Sequence, residues 1–140
     1  MARFRFFSLF IFISFISLTC SKSSSNDNNN NTPPADSPSD IQIDYPGTGV
    51  TYTNGFNLVV SGTITDNNTV ATAKVEIKNK TTGAVLYQQT SSAGNVYLYR
   101  FSWNWTVSGI LVTTPATVKI TSTDFYNYQV SKEINITLDN

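Results

Sequence analysis

The chain has no histidine, a single cysteine, a single methionine and few charges. Each shortage closes off a class of function. Without histidine there is no side chain that ordinarily works as a general base near neutral pH. One cysteine cannot make an intrachain disulfide, and the Cys and His ligands of a structural zinc site are missing. Charged residues are 13% of the chain, nine basic against nine acidic. With Arg3 and Arg5 at the extreme start set aside, acids outnumber bases by two. Such a chain carries no clustered positive charge for phosphates, so no nucleic-acid partner is expected. No apolar run approaches the about 20 residues that a helix needs to cross a bilayer. At 140 residues the expectation is one domain.

What is present begins with the leader MARFRFFSLFIFISFISLTC. Arg3 and Arg5 make a positive start, and Phe6 to Leu18 is apolar apart from serines. A short apolar run behind positive charge is the pattern of a secretory signal. It ends at Thr19-Cys20, and hydrophobicity stops there. A lone cysteine in a folded protein is usually a small buried hydrophobe. Cys20 has polar sequence after it and no fold to enter. Ser17-Leu18-Thr19-Cys20 resembles the relaxed lipobox of bacterial lipoproteins of the Bacteroidetes type. The resemblance implies a signal peptide over 1–19, cleavage before Cys20, and acyl chains such as palmitate on that cysteine. It also implies an outer-membrane location, with periplasmic face and cell surface both left open. Each buried methylene would contribute about 0.8 kcal/mol to membrane attachment, so two or more chains hold a protein stably.

Residues 21–40, SKSSSNDNNNNTPPADSPSD, contain Ala35 as their one apolar residue besides proline. Such a stretch cannot bury enough surface to offset its chain entropy, and a disordered tether over 20–40 is expected. Fully extended, it would reach at most about 66–72 Å.

From Ile41 the apolar residues alternate with period two, which signals strands. Strands are expected near 41–45, 56–65, 70–79, 84–90, 96–106, 116–124 and 128–138. Turn chemistry separates them, as in Asn54-Gly55, Thr82-Gly83, Ala93-Gly94-Asn95 and Phe125-Tyr126-Asn127. Leu58, Val60, Gly62 and Ile64 share one face, and Asn57, Ser61, Thr63 and Thr65 the other. Ala73, Val75 and Ile77 likewise oppose Lys74, Glu76 and Lys78. One wet face per strand fits antiparallel sheets packed on one side only. About seven such strands over 41–140 fit an all-β, antiparallel two-sheet sandwich.

Several stretches also resemble bacterial Ig-like, or fibronectin-type, domains of cell-surface proteins. They are Ile43-Asp44-Tyr45-Pro46, Leu58-x-Val60-x-Gly62-x-Ile64-x-Asp66, Val75-x-Ile77, Phe101-x-Trp103 and Val118-x-Ile120-x-Ser122-x-Asp124. That family usually continues with Gly-Asn, where this chain has Phe125-Tyr126-Asn127. The resemblance implies an Ig-like fold and leaves the ligand open, since this fold hosts many functions.

Tyr97, Tyr99, Phe101, Trp103 and Trp105 alternate along one strand. Phe101 and Trp103 are expected in the core, because large aromatics dominate core burial. Tyr97, Tyr99 and Trp105, nearer the strand ends, and Tyr126 in a turn are the candidate ligand contacts. Tyr52 and Tyr128 also lie in or beside loops. Asp66 and Asp124 close two strands beside Asn67, Asn68 and Asn127. Oxygen-rich loops can hold calcium, but Asp and Asn also cap turns through their own backbone, and capping is the favoured reading. No catalytic residue, metal or cofactor is expected. Two functions remain: a lipid-anchored module binding a protein or glycan, or a structural spacer or accessory subunit of an envelope complex.

Overall fold

The computed structural model describes residues 37–140; the leader, Cys20 and the tether up to residue 36 lie outside the described residues. Six strands make up most of the described chain, and no helix occurs among the described residues. They are β1 (Asp40–Tyr45), β2 (Thr51–Thr53), β3 (Asn57–Asn79), β4 (Val85–Thr106), β5 (Thr114–Asp124) and β6 (Gln129–Asp139).

The expected strands 56–65 and 70–79 are the two halves of β3, and 84–90 and 96–106 are the two halves of β4. The turn residues that separated them in sequence, Asp66-Asn67-Asn68 and Gly94-Asn95, mark irregularities within continuous strands. Register shifts between Thr65 and Val70 and between Val70 and Thr72. The second shift changes which residues face inward. Leu58, Val60, Ile64 and Val70 are buried before it, and Ala73, Val75 and Ile77 after it. An extra residue bends a strand and flips its faces, so β3 serves two layers in turn.

The first layer is β1, the early half of β3 and the late half of β4, all antiparallel. The second takes the early half of β4, the late half of β3, then β5, β6 and β2. The chain thus forms an all-β, two-layer sandwich by curling one sheet on itself. Its strand β2, absent from the sequence-based expectation, pairs parallel to β6 rather than antiparallel. It is three residues long and too short to show alternation.

The inner faces meet as the sequence pattern requires. Ile41, Phe101 and Trp103 of the first layer pack with Val75, Ile77, Val118, Ile120, Ile136 and Leu138 of the second. The Trp103 indole N–H donates to Ser91 Oγ across the layers at 3.0 Å. Gly62 is buried opposite Ile43, where β1 crosses so close that an added Cβ would collide with the Gln42 carbonyl oxygen. Tyr52, expected near a loop surface, is buried in β2 against Tyr45 and Phe56, and its burial holds the phenol well above its ordinary pKa.

Candidate functional site

Three segments converge at the pole where the described chain enters. The bend of β3 brings Asn67, Asn68 and Thr69. The matching bend of β4 brings Asn95 and Tyr97. The turn between β5 and β6 adds Phe125 and Tyr126. Together they line an open groove of about 420 Å³.

The local sequence explains how these segments are held. Asp66 Oδ1 accepts the Asn68 N–H at 2.7 Å. Asp124 Oδ1 accepts the Tyr128 N–H at 2.8 Å, and the Tyr128 carbonyl accepts the Asp124 N–H at 3.0 Å. The Phe125 N–H donates to the Thr69 carbonyl at 3.2 Å, tying the turn to the β3 bend. Both acids are therefore used as turn caps, the pattern expected of Asp beside Asn. They are buried, and Ser39 Oγ reaches Asp66 Oδ2 and Ser122 Oγ behind them. Ser39 thus belongs to the folded part, just ahead of Ile41. Among the described residues no group of three or more acidic, His or Cys side chains converges where a metal ion would sit.

The backbone here is strained. Among the described residues, the non-glycine positions with positive φ are Thr69 at 70°, Asn95 at 57° and Asn127 at 70°. All three lie in the segments that build the groove. Asn tolerates the left-handed region, but a β-branched Thr is a true outlier there. Strain of this kind costs of order 1–3 kcal/mol and concentrates at functional sites.

Of the four candidate contacts, Tyr97 and Tyr126 come together in the groove, with exposures of 67% and 60%. Tyr97 escapes the core because the β3–β4 ladder breaks just beyond Leu98, where the strands bend. Tyr99 and Trp105 are not part of the groove. Tyr99 is half-buried against the core, one register step inside the bend. Trp105 sits at the far end of β4, stacked on Tyr87 with ring centroids 5.8 Å apart. Phe101 and Trp103 are core residues, stacked at 4.9 Å. Sequence reasoning passed over Phe125 and Asn95 as turn residues and did not single out Thr69. Phe125 was signalled by the departure from Gly-Asn after Asp124, and Asn95 by an Asn following a Gly.

No family model matches the chain, and no curated protein does. Among solved structures, fibronectin(III)-like modules of Clostridium thermocellum CbhA are similar, with a TM-score of 0.49 and 9% identity. That similarity covers 73% of this chain and 46% of the CbhA chain, so this chain spans about half of that length. CopC from Methylosinus trichosporium OB3b gives 0.43 and 13%, covering 71% of this chain and 94% of CopC. Murine CRIg gives 0.44 and 10%, covering 74% of this chain and 98% of CRIg. At these values no ligand, activity or partner transfers, and the two-layer architecture rests on this chain's own ladders.

Elsewhere the surface offers less. A shallow polar depression on the outer face of the second layer contains Lys74, Glu76 and Lys119. Glu76 is ion-paired to Lys78 at 2.6 Å and Lys74 at 3.0 Å, and these contacts hold its carboxyl below the ordinary range. A carboxylate so neutralised is a poor general base. At the opposite pole Leu111 and Val112 project from the loop between β4 and β5 with exposures of 84% and 70%. They are neighbours in sequence and form no concave site.

Proposed function

We propose that the chain is a non-enzymatic, lipid-anchored protein of the bacterial outer membrane whose sandwich binds a protein or glycan in the groove at its entry pole. The observation that carries this reading is the coincidence of strained backbone with exposed aromatic rings. Phe125, Tyr126 and Tyr97 are each more than half exposed, and each sits beside a left-handed non-glycine residue or across the groove from one. Single exposed apolar residues are ordinary, but three exposed rings gathered in one groove form a patch of the kind that marks a binding surface. Tyrosine and phenylalanine give large contact area at low entropy cost, which suits them to binding.

The anchor rests on the leader and Cys20. Mass spectrometry of the mature protein from cells is expected to find an acylated Cys20 as the first residue. Cys20→Ser should release the protein from the membrane fraction, and an unacylated start elsewhere would refute the anchor.

The binding reading is tested with the full chain, solubilised in a detergent without sugar head groups. Broad glycan and envelope-protein arrays are expected to show saturable binding that disappears in a Tyr97→Ala/Phe125→Ala/Tyr126→Ala variant. Binding that survives the triple substitution, or none at all, counts against the groove.

One observation favours the second reading, an accessory subunit of an envelope complex. Among the described residues β4 lies at the edge of both layers and pairs with β3 alone. Over 22 residues it carries one charge, Arg100, and no proline. Short β2 and acidic β1, with Asp40 and Asp44, are the better guarded edges. Crosslinking in cells through residues introduced along β4 would then capture one stoichiometric neighbour.

A further inference from the structure

Among the described residues, no charged side chain lines the groove. Its residues are three asparagines, a threonine and three aromatics. The two acids nearest in sequence, Asp66 and Asp124, are buried behind it: Asp66 is held by the Asn68 N–H and the Ser39 hydroxyl, and Asp124 accepts the Tyr128 N–H through Oδ1 while its Oδ2 is buried without a partner among the described residues. This composition narrows the ligand. An anionic ligand would find no Lys or Arg, and a cationic one no exposed carboxylate, so either would lose hydration without compensation. A wholly apolar ligand would cover the exposed Tyr97 and Tyr126 without offering their hydroxyls a partner, which costs free energy. An extended peptide recognised through its backbone needs a continuous strand edge, and the β3–β4 ladder is interrupted at this bend.

We infer that the groove takes an uncharged saccharide. This rests on the groove being the binding site proposed above and names the ligand class for it. A sugar ring presents C–H groups on its faces and hydroxyls around its rim. The first suit aromatic rings, and the second suit the Asn95 amide and the Tyr97 and Tyr126 hydroxyls, since an amide offers both donors and an acceptor and a phenol can donate or accept. Phe125 and Tyr126 stand nearly perpendicular, at 84° with centroids 5.4 Å apart, so they form a corner of one ring face and one ring edge. Tyr97 and Asn95 of β4 line the same groove. At about 420 Å³ the groove falls toward the lower end of the 300–1,000 Å³ usual for small-molecule clefts. Being open, it admits a short segment of a longer glycan.

The test titrates full-length protein, in a polyoxyethylene detergent, with three probe sets: neutral oligosaccharides (fragments of glucan, mannan and xylan), sulfated or uronic-acid oligosaccharides, and peptides. A neutral oligosaccharide is expected to bind, with affinity unchanged between about 50 and 500 mM salt because no ion pair is involved. Tyr126→Ala and Phe125→Ala should each weaken it by about tenfold or more, the scale of an aromatic contact at a binding site. Both rings are exposed, so the variants should keep the parent's melting temperature, which separates lost binding from lost fold. If the charged set or the peptides bind instead, and the same substitutions abolish that binding, the groove stands and the saccharide assignment falls. If neutral sugars bind but the substitutions leave them unaffected, or if no probe binds, the groove itself is wrong and both readings fall.

Discussion

Replacing Gly62 with alanine adds one methyl group to the inner face of β3, and its effect tests the packing of the first layer. Gly62 is not in the left-handed region, so alanine has no backbone objection to the site. In the unfolded chain alanine is less free than glycine, and where space allows the exchange stabilises a protein by about 0.4–1 kcal/mol. Here space does not allow it. The new Cβ would fall on the Gln42 carbonyl of β1 and 2.7 Å from Phe101 Cζ. The ring tip is at the end of a side chain, but the carbonyl belongs to a paired strand. β1 would have to retreat, straining its ladder with β3 from Asp40↔Thr65 to Ile43↔Gly62. Overpacking of this sort costs about 1–3 kcal/mol, occasionally more, and the upper end fits a clash with backbone. A net loss near 2–3 kcal/mol corresponds to roughly 8–20 °C in melting temperature for a domain of this size. Urea unfolding of the full chain followed by Trp103 and Trp105 fluorescence measures it. Adding Phe101→Leu should recover only the part owed to the ring. An unchanged or raised stability in Gly62→Ala would refute the close approach of β1.

Thr69→Gly removes the β-branched strain at φ 70°. Stability should rise by about 0.5–1 kcal/mol, the relieved strain less the extra entropy of glycine, while ligand affinity at the groove falls; calorimetry and titration read the two separately. Trp103→Phe removes the indole donor to Ser91 and part of a buried ring, and should cost about 1–3 kcal/mol in denaturant unfolding. Glu76→Gln should cost at most about 1 kcal/mol at pH 7, because its two lysine partners are roughly 40% exposed and screened. The Glu76 carboxyl is held below its ordinary pKa, so its contribution is full at neutral pH and vanishes as pH falls through the depressed value. The stability gap between the parent and Glu76→Gln should therefore close in acid; a gap that widens on acidification would refute the ion-pair account.

Most of the sandwich was legible because period-two alternation is a local signal. The inward sets Leu58-Val60-Ile64, Ala73-Val75-Ile77 and Val118-Ile120 are buried as their spacing demands. The joining of strands across 66–69 and 91–95 was not legible. Asp-Asn-Asn and Gly-Asn read as chain reversals, and only tertiary packing decides that the strand bends there and continues. β2 was missed because three residues carry no period, and its register is set by β6 alone. The groove was half legible. Alternation placed Tyr97 with Tyr99 to Trp105, but the change of register at the bend separates them, and that depends on two strands at once. Phe125 and Asn95 enter the groove only because three segments distant in sequence share one pole.

The joint run of β3 and β4 also bears on how the molecule assembles. Sandwiches are commonly slow to fold, since their strand pairings join distant parts of the chain. Here the longest ladder grows outward from a single turn. Asn79 Oδ1 accepts the N–H groups of Thr81 and Thr82, and the Gly83 N–H donates to the Asn79 carbonyl. From Lys78↔Val85 the pairing advances to Asn57↔Thr106, each step closing little more chain than the last, so the entropy of loop closure rises slowly. A two-stranded ribbon zipped from that turn already contains a strand pair of each layer. Bending it at 65–70 sets those pairs face to face, and β1, β5 and β6 then add to edges that exist. Substitutions in the 79–84 turn should accordingly slow folding, whereas substitutions in β6 should mainly hasten unfolding.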